Sequence, residues 1–288
     1  MDKVFIIAQQ EDAHTNAIET GILLARAMKK DAEVFAYCYE DFSGGERYNP
    51  RLKGAARQQL LQQRELEVRR HLTALDADDI PLHLVWAKYL FEHACDYSQR
   101  HGFDYMVKAV HHAEHYQPHD WHLIRHVQIP LLLLTDTPLH RGNATLIAVD
   151  LDSHAPLKQQ LNQAVIHQGQ LLAKATDTQL HLAHVIRVPK MIRDMDLINT
   201  RTLAKEAHQR HQLQLSNLGL GPDDVHMLVG EPDLCLYELA CRIKSRYLVI
   251  GCRQRQGLLG HMIGNTVESL LSRIRSNVLV IPAVESLL

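Results

Sequence analysis

Several things are scarce in this chain, and each scarcity excludes a class of protein. Its 288 residues hold five cysteines (Cys38, Cys95, Cys235, Cys241 and Cys252), an odd number with no Cys-x-x-Cys spacing. That argues against a disulfide framework and favours a cytoplasmic protein with reduced thiols. No apolar run approaches the roughly 20 residues a bilayer crossing requires. Met1-Asp2-Lys3 leads straight into the short run VFII rather than into a signal peptide. A surplus of one charge is also missing. Lys and Arg number 31 against 33 Asp and Glu, a formal charge of -2 with a pI near 6.8. Neither nucleic acid nor a membrane is expected as a bulk partner on that balance, although 20 histidines would make the chain positive in mild acid. A Walker lysine loop, a Gly-x-Gly-x-x-Gly fingerprint and a Gly-x-Ser-x-Gly elbow are all absent, and no catalytic constellation stands out.

What is present is a repeat. VFIIAQQ (4–10) runs into a helical pattern with Ile18, Ile22, Ala25 and Met28 on one face. LIAVDLD (146–152) runs into another, with Leu157, Leu161, Ala164, Val165 and Leu172. Val4 and Leu146 are 142 positions apart, and so are Tyr105 and Tyr247 in GFDYMVKA and KSRYLVIG. Two anchors with one offset indicate a duplication, and the polar stretch TPLHRGN (137–143) falls between the copies.

Each copy alternates strand and helix. Strands are expected at 3–8, 33–39, 82–87, 104–108 and 130–134, then at 145–150, 180–186, 224–229, 247–251 and 278–282. A helix carrying Leu60, Leu61, Leu66, Val68 and Leu72 is expected over 50–75, and others over 155–174, 195–217, 233–243 and 265–274. Uninterrupted aliphatic strands belong to a parallel sheet covered on both faces. Two doubly wound, five-stranded α/β domains follow, over 1–140 and 141–288.

Ligands of such sheets bind at the carboxyl ends of strands, near the topological switch point. In the second copy the fourth strand ends at Gly251 and continues as CRQRQGLLGHMIGNTVESLL, with Gly257, Gly260, Gly264, Arg253 and Arg255 inside it. Asn265-Thr266-Val267-Glu268 reads as a capping-box helix start. A glycine loop entering a helix with arginines nearby suits a phosphate. It also suits a loop that uses glycine only to turn. Cys252 beside two arginines could be activated, or could be a small residue that fits the turn. Cys235 and Cys241 read as small core residues of a helix, and Arg187, Lys190 and Arg193 as a solvated loop.

Gly251, Gly264 thirteen positions on, the strands VIG and VLVIP, and LIAVD ending on Asp150 together resemble the universal stress protein family. The DWHLIR stretch (120–125) and Gly264-Asn265-Thr266 are most similar to the tandem E type of that family. The resemblance covers the whole chain and implies two Rossmann-like, adenine nucleotide alpha hydrolase-like domains packed as a pseudo-dimer. It further implies a pocket for ATP or another adenine nucleotide, with magnesium, in the C-terminal domain. Asp150 and Val185 would flank the adenosine there. Gly251, Arg253, Gln254, Gly264, Asn265 and Thr266 would line the phosphate side. Gln254 replaces the family's second loop glycine, and Asn265 stands where Ser or Thr is usual, with Thr266 one place late.

The offset also places the histidine-rich HHAEHYQPHDWHLIRH (111–126). Ala109 corresponds to Gly251, so this stretch holds the position of the glycine loop, yet no glycine occurs between 109 and 130. The N-terminal copy is expected to have lost nucleotide binding. His119, His122 and His126 have helical spacing for a zinc set, and structural or solvated histidines are the reading set ahead of it. The resulting function is a stress-response sensor or adaptor of adenine nucleotides. A non-binding scaffold and a slow ATPase or metal-dependent hydrolase stay open as alternatives.

Overall fold

The computed structural model describes residues 3–9, 17–42, 49–110, 118–135, 142–189, 191–192, 195, 198–253, 255–257, 260–262 and 264–283. The chain divides into two compact units, one holding the elements from Lys3 to Leu134 and the other those from Ala144 to Pro282.

In the first unit β1 (Lys3–Ala8), β2 (Asp31–Cys38), β3 (Leu82–Trp86), β4 (Tyr105–Ala109) and β5 (Leu131–Leu134) lie in the order β3-β2-β1-β4-β5, every pair parallel. Val4, Phe5, Ile6 and Ile7 of the central strand are wholly buried, as a strand covered on both faces must be. Helices α1 (Ala17–Met28), α2 (Pro50–Ala74), α3 (Leu90–Arg100) and α4 (Pro118–His126) connect the strands. Asn49 caps α2 by accepting from the N–H groups of Arg51 and Leu52, and Pro50 takes the first helical position. This helix buries Arg64, Val68 and Leu72, four residues apart, with Leu60 and Leu61 half-buried. Leu66, expected on that face, is 59% exposed because two residues of helix turn it to the far side.

The second unit repeats the plan with β6 (Ala144–Val149), β7 (Gln179–Arg187), β8 (Val225–Gly230), β9 (Ser245–Cys252) and β12 (Asn277–Pro282). Their order is β8-β7-β6-β9-β12, again all parallel. Helix α5 (Pro156–Thr176) buries Leu161, Val165, Gly169 and Leu172, while Leu157 is exposed at its first turn. The helix expected over 195–217 is instead two, α6 (Thr200–Arg210) and α7 (Gln212–Ser216), broken at His211. Asn199 caps the first of them through Thr202 N–H. Helix α8 spans Pro232–Arg242 and α9 spans Asn265–Leu271. Between β9 and α9 a short antiparallel hairpin, β10 (Arg255–Gly257) with β11 (Gly260–Met262), pairs Gly257 with Gly260. Two of the four loop glycines therefore sit on the last rung of a hairpin. The strand order reverses between β6 and β9, and that is where a doubly wound domain opens a crevice.

Candidate functional site

A cavity of about 580 Å³ opens at the carboxyl ends of β6, β7 and β9 in the second unit. Its floor is aliphatic, from Ala148, Val149, Ala183, Val185 and Ile250 on the strands and Leu161 and Val165 on α5. Its rim is charged and polar, with Asp150, Lys158, Arg187, Arg253 and Thr266. An apolar base under a few convergent polar groups, at this volume, is the usual form of a small-molecule site.

The rim is held in place locally. Asn162 grips the backbone of Asp150 twice, accepting from its N–H at 3.1 Å and donating to its carbonyl at 2.7 Å. The Asp150 carboxylate pairs with Lys158 Nζ at 2.7 Å, in the first turn of neighbouring α5. Arg187, the last residue of β7, donates to Thr266 Oγ1 at 3.4 Å and lies 3.9 Å from Glu231. It belongs to a strand end at the cavity rather than to a solvated loop; Lys190 and Arg193 lie outside the described residues.

Of the residues expected at a nucleotide, Asp150, Val185, Gly251, Arg253 and Thr266 all line this one cavity. Gln254 lies outside the described residues, as does the side chain of Asn265. Helix α9 starts at Asn265 with Gly264 as its cap, so Asn265 is the first helical residue rather than the cap that the capping box expected. The two glycines have different surroundings. A Cβ on Gly251 would stand 2.7 Å from Leu161 Cγ, whereas one on Gly264 would meet nothing within 4 Å. Gly251 is thus required by the packing of α5 on β9, and Gly264 by no contact among the described residues. Cys252 is fully buried, and burial pushes its thiol up to about 12, so the activated reading fails. Cys235 is half-buried and Cys241 is exposed at the end of α8, which corrects the expectation that both are core.

This geometry agrees with the comparisons. Residues 145–282 match the Universal stress protein family. The chain is 25% identical over 214 residues to Universal stress protein E of Escherichia coli K12, covering 70% of this chain and 68% of that one. It is 25% identical over 236 residues to the Universal stress protein E homolog of Haemophilus influenzae, covering 77% and 76%. The solved structure of a putative universal stress protein from Pseudomonas aeruginosa UCBPP-PA14 has the same fold. It superposes at a TM-score of 0.70 over 97% of this chain and 92% of its own, at 20% identity. Residues 145–282 are a domain of the universal stress protein family. Membership gives it a stress-response role at the level of the family. No helix among the described residues is long and apolar enough to cross a membrane.

In the first unit the position equivalent to Ile250 is taken by Lys108, which is 2% exposed on β4. Its ammonium donates to Asp120 Oδ1 of α4 at 2.5 Å and to the Ala109 carbonyl at 2.8 Å. A buried cation with its counter-ion therefore stands where the second unit has an aliphatic floor residue. Of the histidine stretch, the side chains of His122 and His126 stack against Phe91 of α3 at centroid distances of 4.8 and 5.7 Å. His126 Nδ1 faces the His122 carbonyl at 2.7 Å. The side chain of His119 lies outside the described residues.

One cluster was not legible in the sequence. Asp152, just past β6, meets His184 of β7 at 3.2 Å and His211, between α6 and α7, at 3.0 Å. Arg210 also donates to this carboxylate, at 3.1 Å. Partial burial alone would raise the Asp152 carboxyl, but hydrogen bonds from His211, His184 and Arg210 hold it below its ordinary value. The three elements converge only in the fold, across separations of 32 and 27 residues, so no local motif marks them.

Proposed function

We propose that the C-terminal unit binds an adenine nucleotide such as ATP, with magnesium, and that this protein acts in the stress response as a nucleotide-dependent sensor or adaptor. The observation that carries the reading is the convergence of Asp150, Val185, Gly251, Arg253 and Thr266 on one cavity with an aliphatic floor and a basic rim. The floor suits a purine, and Arg187, Arg253 and Lys158 suit its phosphates. Among the described residues nothing lies within 4 Å of a Cβ placed on Gly264, as suits a residue approached by a phosphate. Lys108 at the position of Ile250 supports a first unit that does not bind, and with it a stoichiometry of one nucleotide per chain.

ATP and adenosine, each titrated calorimetrically into metal-stripped protein given magnesium, test this. One ATP per chain is expected. ATP at 100 times its Kd adds about 2.7 kcal/mol, which raises the melting temperature of a unit this size by roughly 5–10 °C. Arg253→Ala should weaken ATP by about 10–100-fold, the worth of a charge-assisted hydrogen bond, and leave adenosine nearly unchanged. Neither heat nor a melting shift with ATP would reject the reading, and equal losses for both ligands would reject the phosphate role.

A further inference from the structure

We propose that Asp152, His184 and His211 form a mononuclear site for a divalent transition ion of the zinc class, at the edge of the C-terminal cavity, which Asp152 also lines. The first ground is geometry. One ligand atom from each residue lies within 4.8 Å of the others. Asp152 meets the imidazoles through different oxygens, Oδ2 at 3.2 Å from His184 Nε2 and Oδ1 at 3.0 Å from His211 Nε2, and each separation is near the ligand–ligand edge of about 3.4 Å of a tetrahedron with zinc–ligand bonds of about 2.0–2.1 Å. Both imidazoles present Nε2 to the same carboxylate. Bringing both imidazoles and one carboxylate oxygen onto a single ion takes a shift within the 4.8 Å set, and His211 can supply it because it sits at the break between α6 and α7.

The second ground is independent and concerns the far nitrogen of His184, which is 1% exposed. Its Nδ1 lies 3.2 Å from the Leu151 N–H and 3.3 Å from the Val149 carbonyl. Without an ion, Nδ1 accepts from Leu151 and Nε2–H donates to Asp152. With an ion, Nε2 gives its lone pair to the metal and Nδ1–H donates to Val149. The backbone thus satisfies both tautomers of a buried imidazole, and the second is the outer-shell hydrogen bond that orients metal-binding histidines. Two imidazoles and one carboxylate select zinc, cobalt or nickel over magnesium and calcium, which prefer oxygen alone. The ion is therefore distinct from magnesium carried by a nucleotide. Arg210 is the competitor: its guanidinium shares Asp152 Oδ1, but its side chain is 62% exposed and free to swing into solvent.

The test uses the full chain, stripped of metal and free of nucleotide, titrated with cobalt(II) and then zinc, with calorimetry and metal analysis as readouts. One zinc per chain is expected, displacing cobalt. Asp152→Asn and His211→Asn should each weaken zinc by more than about 100-fold, beyond the 10–100-fold that loss of an outer-shell partner brings. Arg210→Ala keeps all three ligands and should bind more tightly, a change that a purely structural network would not produce. Paired His122→Gln and His126→Gln replacements should leave the affinity unaltered. Should His184→Asn fail to fold, Asp152→Asn and His211→Asn carry the test from the more accessible side. Absence of a stoichiometric ion, equal affinity in His211→Asn, or no gain in Arg210→Ala would overturn the proposal. Because no nucleotide is present, failure here and failure of nucleotide binding are separate results.

Discussion

A methyl group added at Gly251 would stand 2.7 Å from Leu161 Cγ and 2.8 Å from its Cδ2, while one at Gly264 would be free of neighbours. Gly251→Ala should therefore destabilise the second unit by about 1–3 kcal/mol through overpacking, and Leu161→Ala in the same chain should relieve the clash. Gly264→Ala, at a backbone φ of -67°, should stay within about 1 kcal/mol of the parent, since the lost unfolded-state entropy and the weaker helix cap oppose each other. Urea unfolding midpoints distinguish the two. The sequence marks both glycines alike because spacing reports where a glycine is, and only packing reports what it stands against. Thiols behave similarly. Burial pushes Cys95 and Cys252 up to about 12, whereas Cys241 is exposed. At pH 8 a thiol near 12 is only about one part in ten thousand thiolate, the reactive form. Iodoacetamide on the native protein should label Cys241 first and leave Cys252 intact until denaturant is added, as peptide mass mapping would show.

The pair formed by Lys108 of β4 and Asp120 of α4 is the point at which one element is fastened to another inside the first unit. Both side chains are essentially inaccessible, at 2% and 0% exposure. Removing one partner of such a pair leaves an uncompensated buried charge, a loss of about 3–5 kcal/mol. Lys108→Met should impose that loss, and Lys108→Met combined with Asp120→Asn should lose clearly less than the sum of the single changes. A double-mutant cycle in urea would measure the difference, and strict additivity would refute the coupling. The strands themselves were legible from composition: VFIIA, YMVKA and NVLVIP are the aliphatic runs of a covered parallel sheet, and all are buried. Even there the lysine in YMVKA hides its counter-ion, which lies twelve residues on in a different element. The two places where element reading failed have local causes. The break at His211 divides an otherwise continuous polar helix, and β10 pairs with β11 inside what reads as loop. The site was half legible, because Asp150, Gly251 and Thr266 lie at strand and helix ends that the repeat locates, whereas Asp152, His184 and His211 meet only through tertiary packing.

At the scale of the whole molecule both units share one strand plan but differ in their polar groups, and acid should act on both. In the first unit burial lowers His93 on α3, opposed by the charge of Asp96. In the second, burial and then the neighbouring charge of His181 lower His226 on β8. Both histidines favour the neutral form when folded. Their contribution is present above the unfolded histidine value of about 6.5 and is lost as pH falls below it toward the lower folded values. Glu33 behaves as a carboxylate of the same sense. Burial would raise it, but hydrogen bonds from Lys3 and His83 prevail and hold it low, so its contribution is present above the unfolded carboxylate value of about 4.3 and fades at lower pH. Asp233, held low chiefly by the Ser269 hydroxyl, adds to that second window. The melting temperature should accordingly fall in two stages on acidification, one starting near pH 6.5 and one below pH 4.5. His226→Gln should shrink the first stage, leaving the part due to His93, without altering the second, and Glu33→Gln should shrink the second to the part due to Asp233. A melting series from pH 8 to pH 3.5 on the parent and both variants reads the assignment directly. A parent curve flat between pH 7 and pH 5.5 would show that the buried histidines do not govern the stability of either unit.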